Sequence, residues 1–97
     1  MSRHRFQATS SEFGPVTVWM GYDRPLDGFF FTVFDRSEDK CLYDNLRYSE
    51  PHPKSLDKWI AKAKEFGIAL PAGLLEELQS ERDNKIGNKV KTWDIEP

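Results

Sequence analysis

The segment "WMGYDRPLDGFFFTVFD", residues 19–35, decides the fold, because a charged, proline-bearing loop separates two runs of large apolar side chains. Both runs are rich in β-branched and aromatic residues, which favour strands. Proline cannot adopt the positive φ of a two-residue hairpin turn, so the sequence predicts a hairpin with a four-residue loop. In that loop Pro25 takes the first central position of a type I turn and Gly28 closes the turn. Arg24 is then predicted to face Phe29.

The same pairing predicts which side chains share a face of the sheet, because successive residues of a strand point to opposite faces. One set is wholly apolar and is predicted to lie under the helices, whereas the other is mixed and is predicted to form the outer face. A loop longer or shorter by one residue would exchange the two faces. The two sets are Val16, Val18, Met20, Phe29, Phe31 and Val33 on the helix side, and Thr17, Trp19, Phe30, Thr32 and Phe34 on the outer side.

The rest of the chain changes period near residue 50. Alternation at period two dominates residues 1–48, whereas apolar residues recur at helical spacing within residues 54–84. Residues 88–96 favour a final strand or an ordered tail. Together these patterns predict a single α+β domain over residues 1–97, in which an antiparallel meander of three to four strands packs on one face against two C-terminal helices.

Both predicted helices carry end signals. Ser55 is a good N-cap for the first helix, Gly67 ends that helix, and Pro71 suits the first turn of the second. The predicted buried faces are Leu56, Trp59, Ile60 and Ala63 in the first helix, and Leu74, Leu75 and Leu78 in the second.

Composition limits the class of protein. The chain is 38% hydrophobic and 31% charged with a net charge of -2, which is typical of globular domains and unlike the strong basicity of general nucleic-acid binders. The single cysteine, Cys41, cannot form an internal disulfide. The beginning of the sequence lacks the apolar run of a signal peptide, and no stretch approaches the ~20 apolar residues of a membrane span. These features predict a cytoplasmic protein without a membrane partner.

The tip of the hairpin holds the first group of candidate binding residues. The hairpin itself explains Pro25 and Gly28, but it gives no reason for Tyr22, Asp23 and Arg24. The ionic pair formed by an aspartate and an arginine at such a tip is either a solvated pair of little energetic value or half of a recognition site.

The outer face holds the second group. Two helices cover one face of a small sheet, so Trp19, Phe30 and Phe34 are predicted to form an apolar patch on the other. An open patch predicts docking of an unidentified protein or self-association of the chain. The alternative is that the C-terminal segment, with Trp93 and Ile95, folds back over these aromatics.

Other chemistry has weaker support. Cys41 and His52 could serve a nucleophilic enzyme only if the fold brought them together, and neither a phosphate-binding glycine loop nor a metal-ligand spacing is present. No cofactor is predicted. Single-stranded nucleic acid is the main alternative ligand, stacking on the sheet aromatics with Arg3, Arg5 and Arg24 near the phosphates. The acidic balance of the chain argues against it.

Three stretches carry a resemblance to a known family: the "HRF" start, "VTVWMGYDRPLDGFF", and "GLLEELQSERDNKIGNKVKTW". They resemble a family of small bacterial proteins carried on plasmids and integrated elements. The resemblance implies a bacterial cytosolic accessory protein, and it suggests modulation of a host or competitor system by binding, but it brings no activity with it. The sequence therefore predicts a non-enzymatic protein-interaction module.

Overall fold

A computed structural model of the chain describes residues 2–23, 28–44, 55–85, 87 and 89–93, which form a five-stranded sheet and two helices. In chain order the elements are β1 (Ser2–Ser10), β2 (Gly14–Asp23), β3 (Gly28–Asp35), β4 (Cys41–Asp44), α1 (Asp57–Glu65), α2 (Leu74–Asp83) and β5 (Lys89–Trp93). The first four strands form an antiparallel meander, and β5 pairs in parallel with β1, giving the order β4-β3-β2-β1-β5. The predicted α+β fold is confirmed, and its last segment is a strand that closes the sheet.

The central hairpin forms with a register different from the predicted one. Tyr22 faces Phe29 and Asp23 faces Gly28, so the prediction that Arg24 faces Phe29 is wrong by two residues of β2. Gly28 pairs inside the ladder instead of closing the loop. The predicted turn around Pro25 lies outside the described residues. A shift of two residues preserves the side on which every side chain lies, so the predicted faces stand.

The apolar face of the sheet packs against α1 and α2, as the hairpin predicts. Trp59 of α1 is fully buried, stacks on Phe31 with ring centroids 5.7 Å apart, and donates its indole N–H to the carbonyl oxygen of Phe29 at 3.2 Å. A buried tryptophan needs such a partner for its N–H group. The core consists of Phe6, Ala8, Val16, Val18, Met20, Tyr22, Phe29, Phe31, Val33, Tyr43, Leu56, Trp59, Ala63, Phe66, Ile68, Leu74 and Leu78.

Helix α1 departs from its predicted buried face at one position. Ile60 is 37% exposed, because it lies about 100° around the helix from Trp59, whose ring fills the space above the sheet. The prediction that Ser55 is the N-cap is wrong by one residue, because the N-cap of α1 is Leu56. The hydroxyl oxygen of Ser55 nevertheless accepts the N–H of Asp57 at 3.2 Å. Gly67, at a φ of 70°, follows the end of α1 in the left-handed conformation typical of a helix stop.

Helix α2 begins later than predicted. Gly73 adopts a φ of 89°, which no helical residue can have, and the helix therefore starts at Leu74 instead of near Pro71. Leu74 and Leu78 are fully buried and Leu75 is half-buried. Neither described helix has the length and apolarity needed to cross a membrane.

Candidate functional site

The outer face is the side of the sheet opposite α1 and α2, and its middle is occupied by the aromatic residues that the sequence singled out. Trp19 and Phe34 are half-buried there, whereas Phe30 is only 9% exposed. Phe30 faces Gly21 across the β2–β3 ladder, and its ring lies within 2.8 Å of the position that a Cβ at Gly21 would occupy. Because Gly21 has no side chain, the ring of Phe30 can occupy the space above it. The prediction that Phe30 is widely exposed is therefore wrong.

Trp19 is held on this face by a carboxylate from the turn between β3 and β4. Its indole N–H donates to Oε1 of Glu38 at 2.7 Å, and Nη2 of Arg5 donates to Oε2 of the same carboxylate at 3.1 Å. Arg5 is the cross-strand neighbour of Trp19. We call Arg5, Trp19 and Glu38 the Trp19 cluster.

Glu38 reaches the cluster from a backbone conformation that favours glycine. Its φ is 66°, a region that costs a non-glycine residue about 1–2 kcal/mol. The hydrogen bond from Arg5, and then that from Trp19, hold the pKa of the Glu38 carboxyl below its ordinary value of 4.5, although burial opposes them. The carboxylate is therefore ionised at neutral pH, and it fixes the orientation of the indole ring and the guanidinium group.

The same turn also contacts β1 and β2 near the N-terminal end of β2. The carbonyl oxygen of Arg36 accepts the hydroxyl of Thr17 at 3.1 Å, and Nη2 of Arg36 donates to the carbonyl oxygen of Ala8 at 2.9 Å. These contacts bury Thr17 completely. The segment that partly covers the outer face is thus the β3–β4 turn. Trp93 lies on the opposite face, against His4, and Ile95 is outside the described residues.

The candidate residues from the hairpin tip do not share one face of the sheet, because Tyr22 and Asp23 are successive residues of β2. Tyr22 is fully buried on the helix side, with its ring edge-on to Phe29 at a centroid distance of 5.8 Å. Asp23 is 8% exposed at the end of β2, and Arg24 lies outside the described residues. Of the six predicted binding residues, the structure brings Trp19, Phe30 and Phe34 to one face, and the alternation of β2 places Asp23 on the same side at the end of the strand.

A second polar group lies on the helix side, where β1 meets β5 and α2. His4 is fully buried between two partners: its Nε2 is 2.8 Å from Oε2 of Glu81, and its Nδ1 is 2.9 Å from the indole nitrogen of Trp93. An indole N–H can only donate, so Nδ1 must accept. With Nδ1 as an acceptor and Nε2 as a donor to Glu81, the contacts of the ring match the hydrogen-bonding pattern of a neutral imidazole. We call Ser2, His4, Glu77, Glu81 and Trp93 the His4 cluster.

Glu81 connects this cluster to helix α2. It is 2% exposed and accepts the hydroxyl of Ser2 at 2.5 Å, in addition to Nε2 of His4. Burial by itself would raise the pKa of the Glu81 carboxyl, but the hydrogen bonds from His4 and Ser2 outweigh it and leave the pKa below 4.5. Nζ of Lys89 lies 3.4 Å away and adds a favourable charge.

The partially exposed margin of the cluster is a set of ion pairs between α2 and β5. Glu77 accepts Nζ of Lys89 at 2.9 Å and Nζ of Lys91 at 3.1 Å. Burial opposes ionisation of Glu77, but the two lysines lower the pKa of its carboxyl, and the pKa of Lys89 is raised chiefly by the hydrogen bond to Glu77.

The His4 cluster links β1, β5 and α2 through buried and partly buried hydrogen bonds. The hydroxyl of Ser2 points to Glu81 instead of to His4, so the nucleophile–base contact that hydrolytic catalysis requires is missing between them. The sequence reasoning did not identify this cluster. A signal existed, because His4 alternates with Phe6 and Ala8 on the inward side of β1.

The remaining candidates contribute little. Cys41 is half-buried in β4, and His52, its predicted partner in an enzyme, lies outside the described residues. Within the parts of the chain that the structure describes, no three metal-binding side chains come together.

Comparisons with known proteins do not add a family to this picture. The chain matches no protein-family model, no curated protein and no solved structure. The resemblance to bacterial proteins of plasmids and integrated elements therefore stays a prediction.

Proposed function

We propose that the chain is a non-enzymatic interaction module that binds another protein through its outer face, with the Trp19 cluster at the centre of the contact. The observation that carries the proposal is the fixed, half-buried indole of Trp19, hydrogen-bonded to Glu38 beside Arg5 on a face that neither described helix covers. Tryptophan and arginine are the residue types that most often dominate the binding energy of protein interfaces.

The rigidity of the cluster supports this use. An interface residue that is already ordered loses less conformational entropy on binding, and Glu38 orders both Trp19 and Arg5 before any partner arrives. The strained φ of Glu38 is the kind of local cost that proteins retain at functional sites. Phe34 extends the apolar part of the surface along β3.

The charge of Glu38 favours a protein over single-stranded nucleic acid. Arg5, which would otherwise neutralise a phosphate, is already paired with the carboxylate at 3.1 Å. That carboxylate lies beside the tryptophan ring on which a base would stack, and it would repel a nearby phosphate. A polyanion is therefore a poor ligand for this surface.

Capture experiments with matched variants test the proposal. The tagged full chain and its Trp19→Ala and Ile60→Ala variants are incubated with a bacterial lysate, since the resemblance implies that source. We expect the wild type and Ile60→Ala, which changes an exposed residue of α1, to retain the same protein, and Trp19→Ala to lose it. Circular dichroism confirms that each variant is folded. Capture that is equal in all three proteins contradicts the proposal.

Two further measurements separate the alternatives. Light scattering over a range of concentrations detects a second copy of the chain as the partner, in which case Trp19→Ala is expected to shift a dimer to a monomer. Fluorescence anisotropy with a labelled oligonucleotide tests the nucleic-acid alternative. Binding that weakens steeply with salt and is lost in Trp19→Ala would replace the proposed function with nucleic-acid binding.

A further inference from the structure

Strand β5 is attached to the rest of the sheet by one strand ladder and a few side-chain contacts. Its backbone pairs with β1 from Ser2↔Lys89 to Phe6↔Trp93. Lys89 and Lys91 anchor its first half to Glu77, and at its end Trp93 packs against the core and donates its indole N–H to His4. Val90, which points to the outer face, is 69% exposed, so little apolar burial holds the middle of the strand.

The contact at the end of β5 requires that His4 be neutral. The indole N–H of Trp93 donates to Nδ1, and the ring's only proton, on Nε2, faces Glu81. A protonated imidazole carries N–H groups on both nitrogens. Two N–H groups cannot share the 2.9 Å that separates the indole nitrogen from Nδ1, so protonation of His4 must break this contact.

A second acceptor for the new proton is already in place. Oε2 of Glu77 lies 3.9 Å from Nδ1, beyond hydrogen-bond distance in the neutral form but within reach after a shift of about 1 Å. Glu77 would then divide its hydrogen bonds between His4 and Lys91. Protonation thus replaces a contact to β5 with one to α2, and it also weakens the anchor of Lys91.

We propose that His4 is a proton-dependent latch, which holds the end of β5 against β1 when neutral and releases it when protonated. The charged groups that face His4 are Glu77 and Glu81 of α2, with Lys89 and Lys91 of β5 beyond them, and its neighbour in β2 is Met20.

Among these groups, histidine is the side-chain type that changes charge between about pH 5 and 8. Hydrogen bonds outweigh the effect of burial on Glu77 and Glu81 and keep the pKa of each carboxyl below 4.5, whereas the pKa of Lys89 lies above 10.5. These three groups therefore keep their charges between about pH 5 and 8. Release of β5 would expose the edge of β1, whose unpaired backbone groups can accept a strand from a partner.

Nuclear magnetic resonance of the isotope-labelled full chain tests the latch directly. The ring nitrogen shifts of His4 report its tautomer, and we expect the proton on Nε2 at about pH 8. As the pH falls to about 5, the indole N–H resonance of Trp93 should move with the same midpoint as the His4 ring. Over the same interval the amide protection factors of β5 should fall about tenfold or more, whereas those of β2 stay unchanged.

Three variants keep the test decisive. His4→Gln, which cannot gain a proton, should abolish the pH dependence of protection in β5, and His52→Gln should retain it. If His4→Gln does not fold, Trp93→Phe serves instead, because it keeps an aromatic ring but removes the N–H donor that the latch needs. This variant should likewise abolish the pH dependence of protection in β5. A proton on Nδ1 at about pH 8, no titration of His4 down to about pH 5, or protection in β5 that stays constant while His4 titrates would each overturn the proposal.

Discussion

Replacing Glu81 with glutamine tests whether the His4 cluster stabilises the fold. The carboxylate accepts one hydrogen bond from Ser2 at 2.5 Å and one from His4 at 2.8 Å, and it is 2% exposed. A glutamine side chain offers one oxygen and one NH2 group in the same space. His4 cannot adapt by moving its proton to Nδ1, because Trp93 occupies that atom, so the glutamine must turn its oxygen to His4 and its NH2 group to Ser2.

The expected cost follows from these contacts. Hydrogen bonds to charged groups contribute about 1.5–3 kcal/mol each, and the variant weakens one and rearranges the other, so we expect Glu81→Gln to lower the free energy of unfolding by about 2–3 kcal/mol. For a domain of this length that loss corresponds to a decrease in Tm of roughly 10–20 °C. Glu76→Gln is the matched control, because Glu76 is exposed on the same helix, and we expect a change within about 0.5 kcal/mol.

Urea denaturation at neutral pH, followed by circular dichroism, measures both variants. The slope of the transition should stay constant while its midpoint falls for Glu81→Gln. A loss below about 1 kcal/mol, close to that of Glu76→Gln, would refute the reasoning, since it would mean that the buried carboxylate contributes no more than an exposed one.

Three further outcomes follow from the structure. Gly21→Ala should destabilise the fold by about 2 kcal/mol or more in thermal unfolding, because the new Cβ would lie 2.0 Å from the carbonyl oxygen of Ser2. A cost below about 1 kcal/mol would contradict this. Trp59→Ala should cost about 3–5 kcal/mol in urea unfolding and Ile60→Ala less than about 1, so similar losses at these adjacent positions would contradict the assigned faces of α1. Folding lowers the pKa of Glu81, so the stability that this carboxylate contributes is complete above its ordinary pKa of 4.5 and is lost as the pH falls through the folded-state pKa. Denaturation measured from about pH 6 to 3 should show this loss in the wild type and a flatter pH profile in Glu81→Gln. Parallel profiles of the two proteins would argue against this role of Glu81.

The order of the elements could be predicted because each has a clear period and clear ends. Apolar residues alternate in the first half of the chain and recur at helical spacing in the second half, because those are the side chains that must be buried. The change from strand period to helix period therefore identifies an α+β fold. The faces of the central hairpin were predictable for the same reason. Its register was not, because a proline loop accepts more than one pairing of the flanking strands, and Gly28 can serve either in a turn or in a ladder.

The details of the outer face needed the three-dimensional register. Phe30 is covered because it faces Gly21, and that pairing cannot be read from either strand alone. The contact between Trp19 and Glu38 depends on a left-handed φ at a glutamate, which no sequence rule favours. Trp19 itself could be proposed as a site residue, but the acid that fixes it could not.

The His4 cluster was missed because a lone histidine in a strand forms no pattern with its partners in the sequence. Glu81 and Trp93 lie 77 and 89 residues away along the chain, and they meet His4 only when α2 packs against the sheet and β5 pairs in parallel with β1. Helix α2 and the parallel closing strand thus create the cluster together, and the closing strand supplies the contact on which the proposed latch depends.

The affinity of the captured partner for Trp19→Ala tests most directly whether the outer face binds a protein. Isothermal titration of the purified partner into wild-type chain, Trp19→Ala and Ile60→Ala gives the three Kd values. We expect Trp19→Ala to raise Kd about 30-fold or more, as loss of a central interface residue does, and Ile60→Ala to leave it within about twofold. Equal affinities for the wild type and Trp19→Ala would contradict the account.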